Sequence, residues 1–241
     1  DEGQGLIDTF CHLQYKIQSA VQPALAQLSM KLPRKHEGVA KAERRLADTA
    51  KILEEGLLAD EEHLTMNCVI RHLYMKMQTL ACDYTLHLAN SSSVRIAGNY
   101  FKSGVQPILC NRGVNGIEGS LSAAVGYAMK MWGLSIVIIG DLSFFYDANA
   151  LWNVSLPSNL RILLLNNNHG GIFDQLKGLE KSPARDKFIA AGQQTYTAAG
   201  IAQTFHIGYT GVQNFDDLRP ALEHFIVPDG GSQIVEVFVN G

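Results

Sequence analysis

Residues 134–141 read LSIVIIGD: an apolar run of one strand's length, closed by a glycine and then by a carboxylate, Asp141. Residues 160–171, LRILLLNNNHGG, repeat the plan, with asparagines and glycines after the apolar run. A strand that is apolar at nearly every position, not at alternate ones, is buried on both faces. Three further runs, TLHLAN (85–90), PILCN (107–111) and SQIVEVFV (232–239), are separated from these by helix-length segments. Those segments are 117–131, 147–154, 192–203 and 215–226. Strands alternating with helices predict an α/β fold: a doubly wound, mostly parallel sheet with helices on both faces.

The first part of the chain reads differently. LIDTFCHLQYKIQ (6–18) has no clean period, and QPALAQLSMKLP (22–33) reads as a short helix closed by Pro33. Residues 1–38 are therefore expected to be the tail of a preceding domain and a linker, with the α/β domain over 39–241. The absence of an initial methionine fits a piece of something longer. An amphipathic stripe of Val39, Ala42, Leu46, Ala50 and Leu53 predicts one helix. A second is expected after Asp60 as N-cap, with Leu64, Cys68, Val69, Leu73 and Met77 facing inward.

Bulk properties narrow the function. A net charge of −3 lacks the concentrated basic face that a nucleic-acid surface needs. No apolar run reaches the roughly 18 residues of a membrane helix, and no charged-then-apolar leader opens the chain. Cys11, Cys68, Cys82 and Cys110 are scattered without a CxxC pair, as expected of thiols in a reducing compartment, the cytoplasm. The eight histidines show no metal-binding spacing.

In a parallel sheet, ligands occupy the crevice beyond the carboxyl ends of the strands. Three runs end there in polar residues: Asn90-Ser91, Gly140-Asp141-Leu142-Ser143, and Asn166-Asn167-Asn168-His169-Gly170. The interval from Asp141 to Asn167 accommodates one helix crossover, so both would emerge on the same edge. A carboxylate, an amide oxygen and a loop carbonyl make a hard-oxygen half-shell that suits magnesium carrying phosphate. Gly170 and Gly171 would let backbone approach a diphosphate. Taken singly, Asp141 reads as a helix cap and the asparagines as turn formers; together, on successive strand ends, they read as a cation site. GVNGIEG (113–119) supplies neither GxxxxGK[ST] nor GxGxxG, so a nucleotide fingerprint is lacking.

At GDLS (140–143) followed by NNNHGG (166–171), the chain resembles the thiamine-diphosphate-dependent enzymes, whose signature is Gly-Asp-Gly, about two dozen residues, then Asn-Asn. Leu142 replaces the usual third glycine. With NRGVNGIEGSLSAAVGYA (111–128) before it and GGIFDQL (170–176) after it, this variant is similar to one branch. That branch acts in menaquinone biosynthesis, decarboxylating 2-oxoglutarate and adding the product to isochorismate. The resemblance spans roughly residues 57–240, the C-terminal diphosphate-binding domain.

The resemblance implies thiamine diphosphate and magnesium, or manganese in its place, as cofactors. It implies Asp141, the Asn167 side chain and the His169 backbone carbonyl as metal ligands, and Ser143 and Gly170 as diphosphate contacts. Ile117 would hold the cofactor bent, and Ser91 would touch cofactor or substrate. Arg95 and Arg112, just past the first two strands, would clamp substrate carboxylates with their guanidinium forks. Ile172, Phe173 and Leu176 would form an apolar wall over the reacting carbon. Taken alone, Ile117 and this wall read as core, and the arginines as surface charge. No catalytic acid or base is assigned in this chain: in the family the activating glutamate lies in an N-terminal domain, facing this domain of a second subunit. Those two are the implied protein partners. The rival readings are another branch of the family, of the acetolactate synthase or 2-oxo acid decarboxylase type, and a non-catalytic binding or assembly module.

Overall fold

A computed structural model describes residues 19–31, 41, 44–45, 47–48, 63–101, 106–153, 155–175, 177–179, 182–190 and 195–240. The chain divides into two units, Asp1–Gly56 and Leu57–Gly241. In the first, helix α1 (Val21–Lys31) falls where QPALAQLSMKLP predicts a helix. The stripe from Val39 to Leu53 lies outside the described residues.

The second unit opens with α2 (Met66–Met77), which buries Cys68, Val69, Ile70, Leu73 and Met77. Its N-cap is Thr65, whose hydroxyl accepts from the Cys68 N–H at 3.1 Å, and not Asp60. A β-hydroxyl one residue before the helix meets an orphan N–H directly, which a residue five positions earlier does not.

Among the described residues six strands follow: β1 (Tyr84–Leu88), β2 (Ile108–Cys110), β3 (Leu134–Gly140), β4 (Leu160–Asn166), β5 (Gly208–Val212) and β6 (Gln233–Phe238). All pairings are parallel, in the order β2-β1-β3-β4-β6-β5. Between them run α3 (Ser92–Tyr100), α4 (Ser120–Ala128), α5 (Asp141–Tyr146), a 3-10 turn (Ala148–Trp152), α6 (Ala199–Thr204) and α7 (Phe215–Phe225). The helices expected at 117–131 and 215–226 are present within shorter bounds, and the one expected at 192–203 is the shorter α6, which ends one residue later. The segment 147–154 is the 3-10 turn, and α5 precedes it unforeseen. β5, α3 and α5 are the elements the apolar pattern did not show.

The pleat sorts the central strands into two cores. Ile136, Ile138, Leu163 and Leu165 face α2, α3 and α7; Val137, Ile139, Ile162 and Leu164 face α4, α6 and the Phe144–Leu151 segment. Each such side chain contributes roughly 1.5–3 kcal/mol on burial, so β3 and β4 make a stiff platform. The chain steps outward from β1 to β2 and returns on the other side of β1 to β3. The switch point therefore lies between β1 and β3.

Candidate functional site

Register decides what meets at that edge. Gly140 pairs with Leu165, so Asp141 comes off β3 level with the last residues of β4, and Asn167 follows at once. Asp141 opens α5 and is 5% exposed. One carboxylate oxygen accepts from the Leu142 N–H at 2.7 Å and the other from the His169 N–H at 3.1 Å. Burial pushes its carboxyl above the ordinary range, against backbone N–H groups that pull it down. Asn167 Oδ1 is buried and has no hydrogen-bond partner among the described residues. A buried amide oxygen without a donor is costly unless something electropositive sits against it. An orphaned acceptor and a desolvated carboxylate lining one cavity fit a hard divalent cation.

His169 contributes backbone, not ring. Its Nε2 pairs with Asp174 at 2.7 Å, and Asp174 is 3.7 Å from Arg185. Its carbonyl accepts from the Gly171 N–H at 3.0 Å, which leaves a second lone pair. Gly170 donates its N–H to the Ala190 carbonyl at 2.6 Å, so that donor is used within the loop. A Cβ on Gly170 would lie 3.1 Å from the same carbonyl, so a larger residue there would make the loop give by a few tenths of an ångström.

Ile117 is half-buried, and its carbonyl accepts from the Ser143 hydroxyl. Ser143 thus ties the 111–119 loop to the first turn of α5, its hydroxyl engaged in that bond. Asn90 makes a second tie: its Nδ2 donates to Asn111 O at 2.8 Å and to Gly116 O, and its own Oδ1 is unpaired among the described residues. Ser91 carries φ 71°, ψ −132°, a conformation costly for a side chain with a Cβ. Asp147 supplies a third tie, accepting from Ser122 N at 2.7 Å and from the Ser122 hydroxyl.

These pieces enclose a cavity of about 510 Å³ at the switch point. It is lined by all the sequence-predicted site residues that are described: Ser91, Arg95, Arg112, Ile117, Asp141, Ser143, Asn167, His169, Gly170, Ile172 and Phe173. Leu176 lies outside the described residues. Arg95 and Arg112 are exposed at the rim, Arg112 donating to Asn115 Oδ1 at 2.9 Å. The sequence marks Asn90 only as a polar strand end and not as a brace, and two residues were missed: Asp147 and the buried Glu236, which accepts from Asn166 Nδ2 at 2.7 Å. Asn90 and Asp147 stand beside the quoted motifs, and Glu236 is a lone acid inside an apolar strand; that oddity is the signal that could have found it.

Residues 91–237 match the family model described as thiamine pyrophosphate enzyme, C-terminal TPP binding domain. The chain belongs to the thiamine pyrophosphate enzymes. The chain is 49% identical over 166 residues to the 2-succinyl-5-enolpyruvyl-6-hydroxy-3-cyclohexene-1-carboxylate synthase of Bacteroides fragilis, an alignment covering 68% of this chain and 30% of that protein. Proteins of the same name from Bacteroides thetaiotaomicron and Cytophaga hutchinsonii are 48% and 43% identical, over 64% and 63% of this chain and 28% and 27% of theirs. The chain thus spans about 30% of the length of the curated relatives it matches. Among solved structures, benzoylformate decarboxylase from Polynucleobacter necessarius superposes with a TM-score of 0.59 at 17% identity, over 73% of this chain and 33% of that one. That likeness shows the fold. Among the described residues, no helix is long and apolar enough to cross a membrane.

Proposed function

We propose that this chain is the diphosphate-binding part of a 2-succinyl-5-enolpyruvyl-6-hydroxy-3-cyclohexene-1-carboxylate synthase, which joins a decarboxylated 2-oxoglutarate to isochorismate in menaquinone biosynthesis, in the cytoplasm. The observation that carries the cofactor half is the buried Asp141 carboxylate with the unpaired Asn167 Oδ1, on adjacent strand ends. The identity of 49% to a synthase of that name carries the choice of branch.

Asp141, Asn167 Oδ1 and the His169 carbonyl would hold magnesium, or manganese, and with it the diphosphate. When bound, thiamine diphosphate supplies the electron sink for decarboxylation. The protein's own groups orient and exclude. Ile117 stands on the 111–119 loop, which Asn90 and Ser143 brace from two sides, so its side chain can press on the cofactor from a fixed place. Ile172 and Phe173 wall the cavity and keep water from the reacting carbon. Arg95 and Arg112 at the rim offer guanidinium forks to substrate carboxylates. Residues 39–241 are assigned to the diphosphate domain and 1–38 to the tail of the domain before it. A further N-terminal domain, facing this one from a second subunit, would bring the activating glutamate.

The test is a donor and acceptor comparison with the protein at its full natural length. Product formed from 2-oxoglutarate plus isochorismate, dependent on thiamine diphosphate and magnesium, is the expected result. Arg95→Ala and Arg112→Ala should raise KM for one or both substrates by about tenfold or more, the worth of a charge-assisted hydrogen bond. Turnover of pyruvate with no response to isochorismate would assign the protein to another branch of the family.

A further inference from the structure

Glu236, in the middle of β6, has no exposed surface. Removing a carboxylate from water carries a large desolvation penalty, and its strand neighbours Val235 and Val237 are apolar. Its oxygens instead collect four donors. One oxygen accepts from Asn166 Nδ2 at 2.7 Å. The other accepts from the Thr197 hydroxyl at 2.6 Å, the Tyr209 hydroxyl at 2.7 Å and the Ala198 N–H at 3.0 Å.

The first of these bonds reaches the cofactor edge. With its Nδ2 committed to Glu236 and to the Tyr196 carbonyl, the Asn166 amide must point its oxygen at the following backbone. There it accepts from the Asn168 N–H at 2.9 Å. Asn168 takes φ 54°, and the chain turns back over Asn167. That turn leaves Asn167 Oδ1 unpaired in the cavity wall and delivers the His169 N–H to Asp141. Flipping the Asn166 amide would set an oxygen against Glu236 and an NH2 against the Asn168 N–H. Glu236 therefore selects the amide orientation on which the turn depends.

We propose that Glu236 is a positioning residue for the cation ligands: through Asn166 it sets the turn that aims Asn167 Oδ1 and the His169 backbone at the Asp141 edge. The inference rests on the cofactor reading above. A carboxylate is required because it alone accepts from all four donors. Glutamine must turn its NH2 either toward Asn166, which forces the flip, or toward the Ala198 N–H, which orphans that donor.

The test is Mn2+ binding by the protein at its full natural length, with thiamine diphosphate present, followed by paramagnetic resonance of the free ion. Glu236→Gln and Asn166→Ala should each weaken Mn2+ binding by about tenfold or more, the usual cost of losing a group that orients a metal ligand. Leu222→Ala, on the buried face of α7, should lower the unfolding midpoint and leave Mn2+ affinity unchanged. Folded Glu236→Gln with the affinity of the unaltered protein overturns the proposal, as does an equal loss in Leu222→Ala. Should Glu236→Gln not fold, Asn166→Ala decides: weakened binding supports the proposal and unchanged binding overturns it. No Mn2+ binding by the unaltered protein overturns the cofactor reading and this inference with it.

Discussion

Two residues show how a buried polar atom reveals its purpose. Asn167 Oδ1 has no donor among the described residues, so removing it sacrifices no hydrogen bond. Asn167→Ala removes that dry acceptor and should therefore raise ligand-free stability by roughly 1 kcal/mol. The stabilisation that magnesium and thiamine diphosphate give the unaltered protein should disappear in this variant, because ligand stabilises only what it binds. Paired thermal melts with and without both cofactors check this. His87 is the contrasting case. Burial lowers its pKa to about 4, and its Nε2 has no partner among the described residues while its ring packs edge-on to Tyr127. The folded state holds this imidazole neutral, whereas the unfolded chain protonates it near 6.5. Its contribution is thus complete above pH 6.5 and is lost as pH falls from there toward 4. By pH 5 the loss reaches about 2 kcal/mol. His87→Leu should lose that part of the acid sensitivity, measured as the difference in urea midpoints between pH 7 and pH 5.

At the scale of elements, the two ends of β4 divide the labour. Its carboxyl end carries Asn166 and the site turn; its amino end carries Arg161, which has no exposed surface. The Arg161 guanidinium donates to the carbonyls of Ser158, Leu160, Val227, Pro228 and Gly231, and so clamps the segment between α7 and β6. Arg161→Ala should cost about 3 kcal/mol or more, since charged hydrogen bonds are lost and carbonyls are left dry. Chemical denaturation measures it, and cofactor affinity should hold because the clamp lies at the far end of the strand. The central elements were legible because β3 and β4 are apolar throughout, which admits one reading. β5, GYTGV, was not: two glycines and an edge position leave no apolar run. α3, SSVRIAGNY, opens on serines and holds a glycine and an asparagine, all weak helix formers, and it is helical because Ala97 and its neighbours pack on the sheet. α5 is a single short turn and a half, below the length at which a period can be read.

At the scale of the molecule, the cavity is built from the ends of β1, β2, β3 and β4 together with the 111–119 loop, and it spans the switch point. The proposed function also calls for a cofactor-activating glutamate. By the family resemblance that glutamate lies in an N-terminal domain, and this chain covers about 30% of the relatives it matches. The isolated 241 residues should therefore bind cofactor weakly and release no carbon dioxide from 2-oxoglutarate. A steady decarboxylation by the isolated chain, followed as carbon dioxide release, would refute this.

Local order along the chain was enough to establish a parallel α/β sheet and to send Asp141, Asn167 and the glycine loop to one edge of it, because apolar runs and the polar residues that stop them are local facts. Pairing was not local. The register that sets Asp141 level with the end of β4, the Glu236–Asn166 bond from another strand, the Asp147–Ser122 tie and the Asn90 brace all join residues far apart in order. A single sequence holds no record of which buried donor meets which acceptor; packing the strands side by side decides it.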